Sequence, residues 1–292
     1  MITNETNLPL AVYAAVANDD YTRGKSDISV TDLLAPPRMV TLKEQHGKEL
    51  VEDVADMAAR YIGTVVHNDL EKHKQTEESE TRVFIDVAGW VVGGKPDHFD
   101  PATGHLQDYK TIKATEFMYG LKEERTQQLN VYAEMLRLNG YDVSKLTAVV
   151  FIVDFSFPAS ERDRRYPPRS IVEIPIEMWP RNRVQQFIRD RVAVHQAARV
   201  TLPNCTDEER WKRDDYAIKR DGTKNAIKLF RDAQLIEAEE WGIEQGIAEM
   251  TDNGVIWVAG HSVEHRPGQP TRCRWYCSAV AVCDQRQGEL NG

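Results

Sequence analysis

The 292-residue chain has no long apolar run. Its best candidate, Leu146 to Phe155, is interrupted by Thr147 and Asp154, so no stretch supplies the roughly 20 apolar residues of a membrane-spanning helix. Met1 to Pro9 carries neither the basic start nor the apolar core of a signal peptide. An intracellular, cytoplasmic protein with no membrane partner is therefore expected. A basic excess is missing as well, since the net charge is −9. That counts against a coat protein for nucleic acid, which carries a surplus of lysine and arginine. It leaves room for a local basic groove, with Arg162, Arg164, Arg165 and Arg169, then Arg181 and Arg183, as candidates. Cysteine is scarce: Cys205, Cys273, Cys277 and Cys283 are the four. Disulfides are disfavoured inside cells, and the crowding of three cysteines near the C-terminus points to a metal. Internal repeats and low-complexity segments are absent.

What is present suits a globular chain of one large domain, or a core with an accessory unit. The first ~25 residues show no periodic pattern and are expected to be loosely ordered. Ser29-Val30-Thr31-Asp32 reads as a capping box opening a short helix, which Pro36-Pro37 ends. Leu50, Val51, Val54, Met57, Ala58, Ile62 and Val65 recur at helical spacing and predict one helix over about 43–74. Strand signals follow over 82–92, with Gly93-Gly94 as a turn, then over 95–100 and, after the turn Pro101 to Gly104, over 105–110. A helix is predicted over 126–139 with Gly140 as its stop, a buried strand over 146–155, and an amphipathic helix over about 181–198. Beyond it, 216–219 and 226–230 flank the hairpin turn Asp221-Gly222. A helix over 232–245 and a strand over 255–258 complete a small α+β unit. The predicted division is an N-terminal segment 1–27, a core 28–200, and a cysteine-bearing region 201–292 with an insert at about 206–272. Trp211, Trp241, Trp257 and Trp275 of that region are expected in its core.

The chemistry-bearing residues stand in one order. His67 and Glu71 share a helix face; Lys95-Pro96-Asp97 follows a glycine pair; Asp108-Tyr109-Lys110 lies on a strand; Gln128 and Tyr132 are one turn apart on the next helix. Two carboxylates from neighbouring strands can hold a hard cation. Asp108 and Lys110, two apart on a strand, leave the same face and set an ammonium beside that cation. The Tyr109 carbonyl and the His67 imidazole are further ligand candidates, the imidazole suiting manganese better than magnesium. Glu71 is a candidate for a second ion or a water in the metal shell.

This ordered set resembles the RecB-like nucleases of the PD-(D/E)XK superfamily, phage-encoded and CRISPR-associated exonucleases among them. The shared pattern is Gly63 to His67, Gly94 to Asp97, Asp108 to Lys110, and Gln128 to Tyr132, with the phrase Gln128-Leu129-Asn130-Val131-Tyr132-Ala133 especially close. The likeness covers about 28–155. It implies a restriction-endonuclease-like α/β core, a central mixed sheet flanked by helices. It implies metal on His67, Asp97, Asp108 and Tyr109, with Mg2+ or Mn2+ as the ion, and Lys110, Asp97, Asp108, Glu71, Gln128 and Tyr132 as the catalytic group. Gln128 and Tyr132 would line the DNA-facing side. The implied activity is a metal-dependent deoxyribonuclease, an exonuclease ahead of an endonuclease, in phage recombination, repair or replication. A recombination partner protein is implied alongside DNA, and a non-catalytic DNA-binding module on the same fold is the alternative.

Some relatives hold a 4Fe–4S cluster with one distant cysteine and three clustered near the C-terminus. Cys273, Cys277 and Cys283, with three and five residues between them, match the trio. The distant ligand departs from the pattern: relatives place it before the helical histidine, where this chain reads Ala35-Pro36-Pro37, so Cys205 would take the role. Four thiolates also suit structural zinc. The resemblance favours the cluster, and in either case the metal would clamp the C-terminal segment.

Overall fold

The computed structural model describes residues 1–18, 23–73, 82–231, 234–252, 254–258 and 260–291. It falls into two compact units, Met1–Leu202 and Pro203–Gly292. In chain order the first unit comprises β1 (Ile2–Thr3), α1 (Leu10–Ala17), β2 (Ile28–Ser29), α2 (Val30–Leu34), α3 (Pro37–His46), β3 (Glu52–Asp53), α4 (Ala58–Lys72), β4 (Val83–Val87), β5 (Trp90–Gly94), β6 (His98–Asp100), β7 (His105–Ile112), α5 (Ala114–Tyr119), α6 (Glu123–Leu138), β8 (Lys145–Ile152), α7 (Phe157–Arg162), β9 (Ile171–Ile176) and α8 (Arg181–Val200).

Two sheets organise this unit, one in the order β2-β5-β4 and one in the order β6-β7-β8-β9. The second is mixed: β6 and β9 run antiparallel to their neighbours, while β7 and β8 pair in parallel from His105↔Lys145 to Ile112↔Ile152. A parallel pair needs a long crossover, and α5 with α6 provides it. Leu146, Ala148, Val150 and Ile152 of the central strand β8 are buried together with Thr147 and Val149, which explains its near-continuous apolar sequence. Against the sheets α6 lays Leu129, Ala133 and Leu136, and α8 adds Val184, Ile188 and Val192. Each fully buried large apolar side chain is worth roughly 1.5–3 kcal/mol.

Polar joints fix the helices. Ser29 Oγ accepts the Asp32 N–H at the start of α2 (3.1 Å), as its capping sequence predicts. At the other end, Arg191 on α8 donates to the carbonyls of Leu33 and Ala35 at 2.8 and 2.7 Å. His195 Nε2 reaches the Leu33 carbonyl at 3.0 Å. The buried Asn130 donates to the carbonyls of Thr126 and Glu177 and accepts the Trp179 N–H, tying α6 to the connection between β9 and α8. Past the end of α6, Gly140 has φ +93° and the Tyr141 N–H returns to the Leu136 carbonyl at 3.1 Å, a left-handed cap that glycine adopts without a Cβ penalty.

Three expectations need correction. The single helix over 43–74 is two, α3 and α4, separated by β3 and a short 3-10 turn at Val54–Asp56. Val54 and Met57 are buried because they lie in that break, while Ile62 and Val65 of α4 are exposed. The chain turns at Ala88-Gly89, both at positive φ, and not at Gly93-Gly94, which lie inside β5. The N-terminal residues are ordered enough for β1 to pair with β3 and for α1 to form.

The second unit contains β10 (Asp215–Arg220), β11 (Ala226–Phe230), α9 (Leu235–Glu244), β12 (Ala248–Thr251), β13 (Gly254–Trp257), β14 (His261–Arg266), α10 (Thr271–Trp275) and α11 (Asp284–Asn291). A sheet β11-β10-β14 and a separate β12-β13 hairpin make up its strands. The start of the expected helix, Asp232 and Ala233, lies outside the described residues.

Candidate active site

Strand β7 carries the centre of the site. Its alternation buries Leu106, Asp108 and Ile112 on one face, and Lys110 belongs to that face by the same period of two. Asp108 is only 2% exposed. Its Oδ1 accepts from Lys110 Nζ at 2.6 Å, whereas Oδ2 is buried with no hydrogen-bond partner. Burial pushes the Asp108 carboxyl up to about 6; the Lys110 charge opposes the rise and the Asp97 charge adds to it.

Asp97 sits in the bend before β6. Its Oδ2 accepts the Tyr109 backbone N–H at 2.7 Å, and its Oδ1 faces His67 Nδ1 at 3.2 Å. Burial pulls the Asp97 carboxyl upward, but the His67 hydrogen bond and the Lys110 charge outweigh it and leave the group below its ordinary value. The same hydrogen bond holds His67 above the usual imidazole value, against the effect of its own burial. Because Nδ1 of His67 is engaged by Asp97, Nε2 is the nitrogen left to coordinate an ion.

One helical turn beyond His67, Glu71 is gripped by Lys95 Nζ at 3.2 and 3.3 Å. Gln128 Nε2 donates to the Tyr132 hydroxyl at 3.5 Å. Tyr132 is buried rather than presented to solvent, and its ring lies against Gly94. A Cβ at Gly94 would stand 2.3 Å from Tyr132 Cε1 and 2.9 Å from Val30 Cγ2. The glycine and tyrosine, distant in sequence, are thus one packing contact. Gly63 is less constrained, since its Cβ would meet only Thr111 Oγ1 at 3.5 Å.

Two cations here had no role assigned from sequence. Lys95 pairs with Glu71, and Arg125 binds Glu116 at 3.0 Å while its charge reaches Asp108. Both were open to discovery: Lys95 stands two before Asp97, and Arg125 one turn before Gln128 on the same helix.

Among the described residues, no three or more His, Cys, Asp or Glu side chains stand grouped as ligands for a metal ion. In the core the reason is visible in the pairing: Asp97 is turned to His67 and the Tyr109 N–H, and Asp108 to Lys110. The donors nonetheless suit a hard cation, with carboxylate oxygens, a backbone carbonyl and an imidazole. The orphaned Asp108 Oδ2 is a buried acceptor that such an ion would satisfy.

A model of the PD-(D/E)XK nuclease superfamily matches residues 17–284. The chain belongs to that superfamily. Among solved structures, the nuclease is similar to the crystal structure of SSO0001, at 17% identity over 63% of this chain and 82% of that one, with a TM-score of 0.41. It is also similar to a phage-related exonuclease from Haemophilus somnus 129PT, at 16% identity over 59% of this chain and 92% of that one, with a TM-score of 0.32. No curated protein matches the chain.

The arginines expected to line one groove of the nuclease lie at two ends of its sheet. Arg162 to Arg169 precede Ser170 and Ile171, next to Ile152 and Phe151 at the exit of β8. Arg181 and Arg183 follow Ile176, which pairs with Leu146 at the entrance of β8. The second set is also engaged: Arg181 binds the fully buried Glu134 through two bonds, and Arg183 lies over the Trp179 ring at 3.9 Å.

In the second unit the four cysteines, too, stand in no metal-ligand grouping among the described residues, though the other three act on Cys205. Burial, then Glu209 and the other three cysteines, pushes Cys205 up to about 12. Burial also raises Cys273 and Cys277. The charges of Arg210, Arg272 and Arg286 reach Cys273 and oppose its rise. The Gln285 side chain clamps Cys205 at both backbone groups, accepting from its N–H at 2.8 Å and donating to its carbonyl at 3.0 Å. Of the tryptophans expected in a core, Trp275 is largely exposed. Trp211 packs on Tyr276 and under Arg272, and Trp241 on Phe230.

Proposed function

We propose that this superfamily member is a metal-dependent deoxyribonuclease of the RecB-like branch, acting as an exonuclease on DNA. The observation that carries the reading is the buried, unpartnered Asp108 Oδ2, held beside Asp97 and next to the Lys110 ammonium. Asp97, Asp108, the Tyr109 carbonyl and His67 Nε2 would hold Mg2+ or Mn2+. Such an ion polarises a phosphate and lowers the pKa of an attacking water.

The chain's own residues do the rest. Lys110 Nζ leaves Asp108 Oδ1 to meet a phosphate oxygen or orient the water. Tyr109 N–H and His67 Nδ1–H fix the Asp97 carboxylate by its two oxygens. Glu71 with Lys95 positions the rim of the site, where Glu71 can take a water of the metal shell. Tyr132 acts through Gly94 and Gln128, so it is a positioning residue.

The four cysteines are proposed to hold a metal in the second unit, a 4Fe–4S cluster in preference to zinc. The sequence resemblance carries this part of the reading, and the Gln285 clamp on Cys205 and the three arginine charges near Cys273 support it, because a cluster on four thiolates is anionic. The exonuclease preference, a phage setting in recombination or replication with a partner protein, and a cytoplasmic location follow from the sequence resemblance. An endonuclease is the competing reading.

The test is to purify the protein without oxygen and incubate it with linear and circular DNA, single- and double-stranded, in Mg2+ or Mn2+, beside Lys110→Ala. Cutting by the wild type alone supports the assignment, and sparing of circles supports an exonuclease. Folded, metal-replete protein that cuts nothing would transfer the assignment to a DNA-binding module. Iron with sulfide, as against zinc, decides the second metal.

A further inference from the structure

At the exit of β7 and β8 the surface combines exposed aromatic rings with arginines. Phe157 is 77% exposed and Tyr119, at the end of α5, is 76% exposed. Neither ring hangs from a loose segment. Phe157 meets Phe155 edge-on at 5.1 Å, and Phe155 packs on Tyr166 at 5.9 Å. The Tyr166 hydroxyl accepts the Ser156 N–H at 3.0 Å and donates to the Asp154 carbonyl at 3.1 Å. Asp154 Oδ1 accepts the Ala114 N–H, and the Val153 N–H donates to the Ile112 carbonyl. The whole corner is therefore fastened to the end of the strand that bears Asp108 and Lys110. At ~3.3 Å per residue, Ile112 lies about 7 Å beyond Lys110, the span of one or two nucleotides.

Arg162, Arg164, Arg165 and Arg169 follow Phe157 in the same stretch of chain, all exposed. Arg165 is held by Asp163 in two bonds, and the Tyr119 hydroxyl is near enough to act on its charge. Arg162 Nε donates to the Pro158 carbonyl at 2.8 Å, which orders the guanidinium without neutralising it. Of the acidic neighbours, Asp154 and Asp163 are engaged as described, and Glu161 faces solvent. In a chain of net charge −9 this is an unusual concentration of guanidinium groups.

Exposed aromatic rings rimmed by charged groups mark interaction surfaces. Duplex DNA keeps its bases stacked inside, whereas a single strand offers base faces to aromatic rings and phosphates to arginines. We infer that this corner docks a single-stranded stretch of the DNA substrate beside the scissile phosphate, with a base stacked on Phe157 or Tyr119 and phosphates held by Arg162, Arg164 and Arg169. The inference rests on the nuclease reading and names the form of DNA that its site receives.

The test uses the full chain with a fluorescein-labelled dT20 strand and a blunt duplex of equal length, in Ca2+, by anisotropy. Phe157→Ala is expected to weaken dT20 binding roughly tenfold, within the range for loss of one base–aromatic stack, and to leave duplex binding nearly unchanged. Phe157→Trp should restore it. The Arg164→Ala/Arg169→Ala double variant should flatten the salt dependence of dT20 binding by about 1.4 log units per log unit of salt. Hydrolysis of thymidine 5′-(p-nitrophenyl phosphate), too short to reach the corner, should be unchanged in all three. Wild-type dT20 affinity in both Phe157→Ala and the double variant, with DNA cutting intact, overturns the docking site and spares the nuclease reading. A wild type that neither binds DNA nor hydrolyses the ester overturns both.

Discussion

The two units of the chain are held together by different means. In Met1–Leu202 a continuous apolar cluster runs from Ile28 through Phe99, Leu106, Leu129 and Val150 to Val192. In Pro203–Gly292 the fully or nearly buried apolar side chains are small for the most part: Ala217, Ile218, Ala238, Ala248, Ala279 and Cys283. So thin a core gains most from a staple, which the proposed metal on the four cysteines would supply. The first unit has a core strong enough to carry a buried carboxylate at Asp108 and another at Glu134. The lesson is that a well-packed core can support a poised charged site, whereas the cysteine unit has few large buried side chains and, on the proposed reading, would draw stability from a bound metal.

The largest effect expected from this contrast is loss of the proposed cysteine-bound metal. Structural metal on cysteines contributes about 10 kcal/mol or more of folding free energy. Cys277→Ser, or chelation under reducing conditions, should therefore open residues 203–292 to limited proteolysis while the first unit stays resistant. Equal resistance of both units after metal loss would break the comparison. Next comes Lys110→Ala, which should lower DNA cleavage about 10²–10³-fold with the thermal transition of the first unit unmoved.

The third effect lies at the α2–α8 joint. Burial, then the Arg191 charge, holds His195 down to about 4, so it stays neutral in the folded chain across the range where the unfolded imidazole takes a proton. Its contribution is complete above pH 6.5 and is lost as pH falls from there towards 4, a change of roughly 3 kcal/mol. His195→Gln should show a flatter loss of stability over that window than the wild type; parallel melting curves would refute the assignment. The smallest effect separates the two glycines. Gly94→Ala should cost about 1–3 kcal/mol through overpacking on Tyr132, while Gly63→Ala, mid-helix with space for a methyl, should be neutral or stabilising by up to about 1 kcal/mol. Chemical denaturation of both variants checks the difference.

The sequence made the core elements legible where a single periodicity ruled. Strands β7 and β8 and helices α6 and α8 were predicted to within a few residues, because their apolar patterns are those of elements packed on one side or buried on both. It failed between His46 and Ala58, where Leu50, Val51, Val54 and Met57 keep helical spacing but lie in the connection that contains β3 and a 3-10 turn. It failed again at Gly93-Gly94: a glycine pair suggests a turn, but Gly94 is there to let Tyr132 approach. The pairing of Lys95 with Glu71 and the burial of Tyr132 depend on how strands and helices meet, and no local pattern announces either. The superfamily could be read from four spaced motifs, since each motif reports one side chain on one element in fixed order.

The Gln285 clamp on Cys205 has a consequence for the chain between them. These residues lie 80 apart yet share two hydrogen bonds, so the intervening strands and α9 form a closed excursion with joined feet. Closure free energy varies only slowly with contour length, by about 0.6 kcal/mol for each doubling. The excursion can therefore be trimmed or exchanged for another folded module at little cost to the thiols at its base, which makes it a natural place to graft a new recognition element.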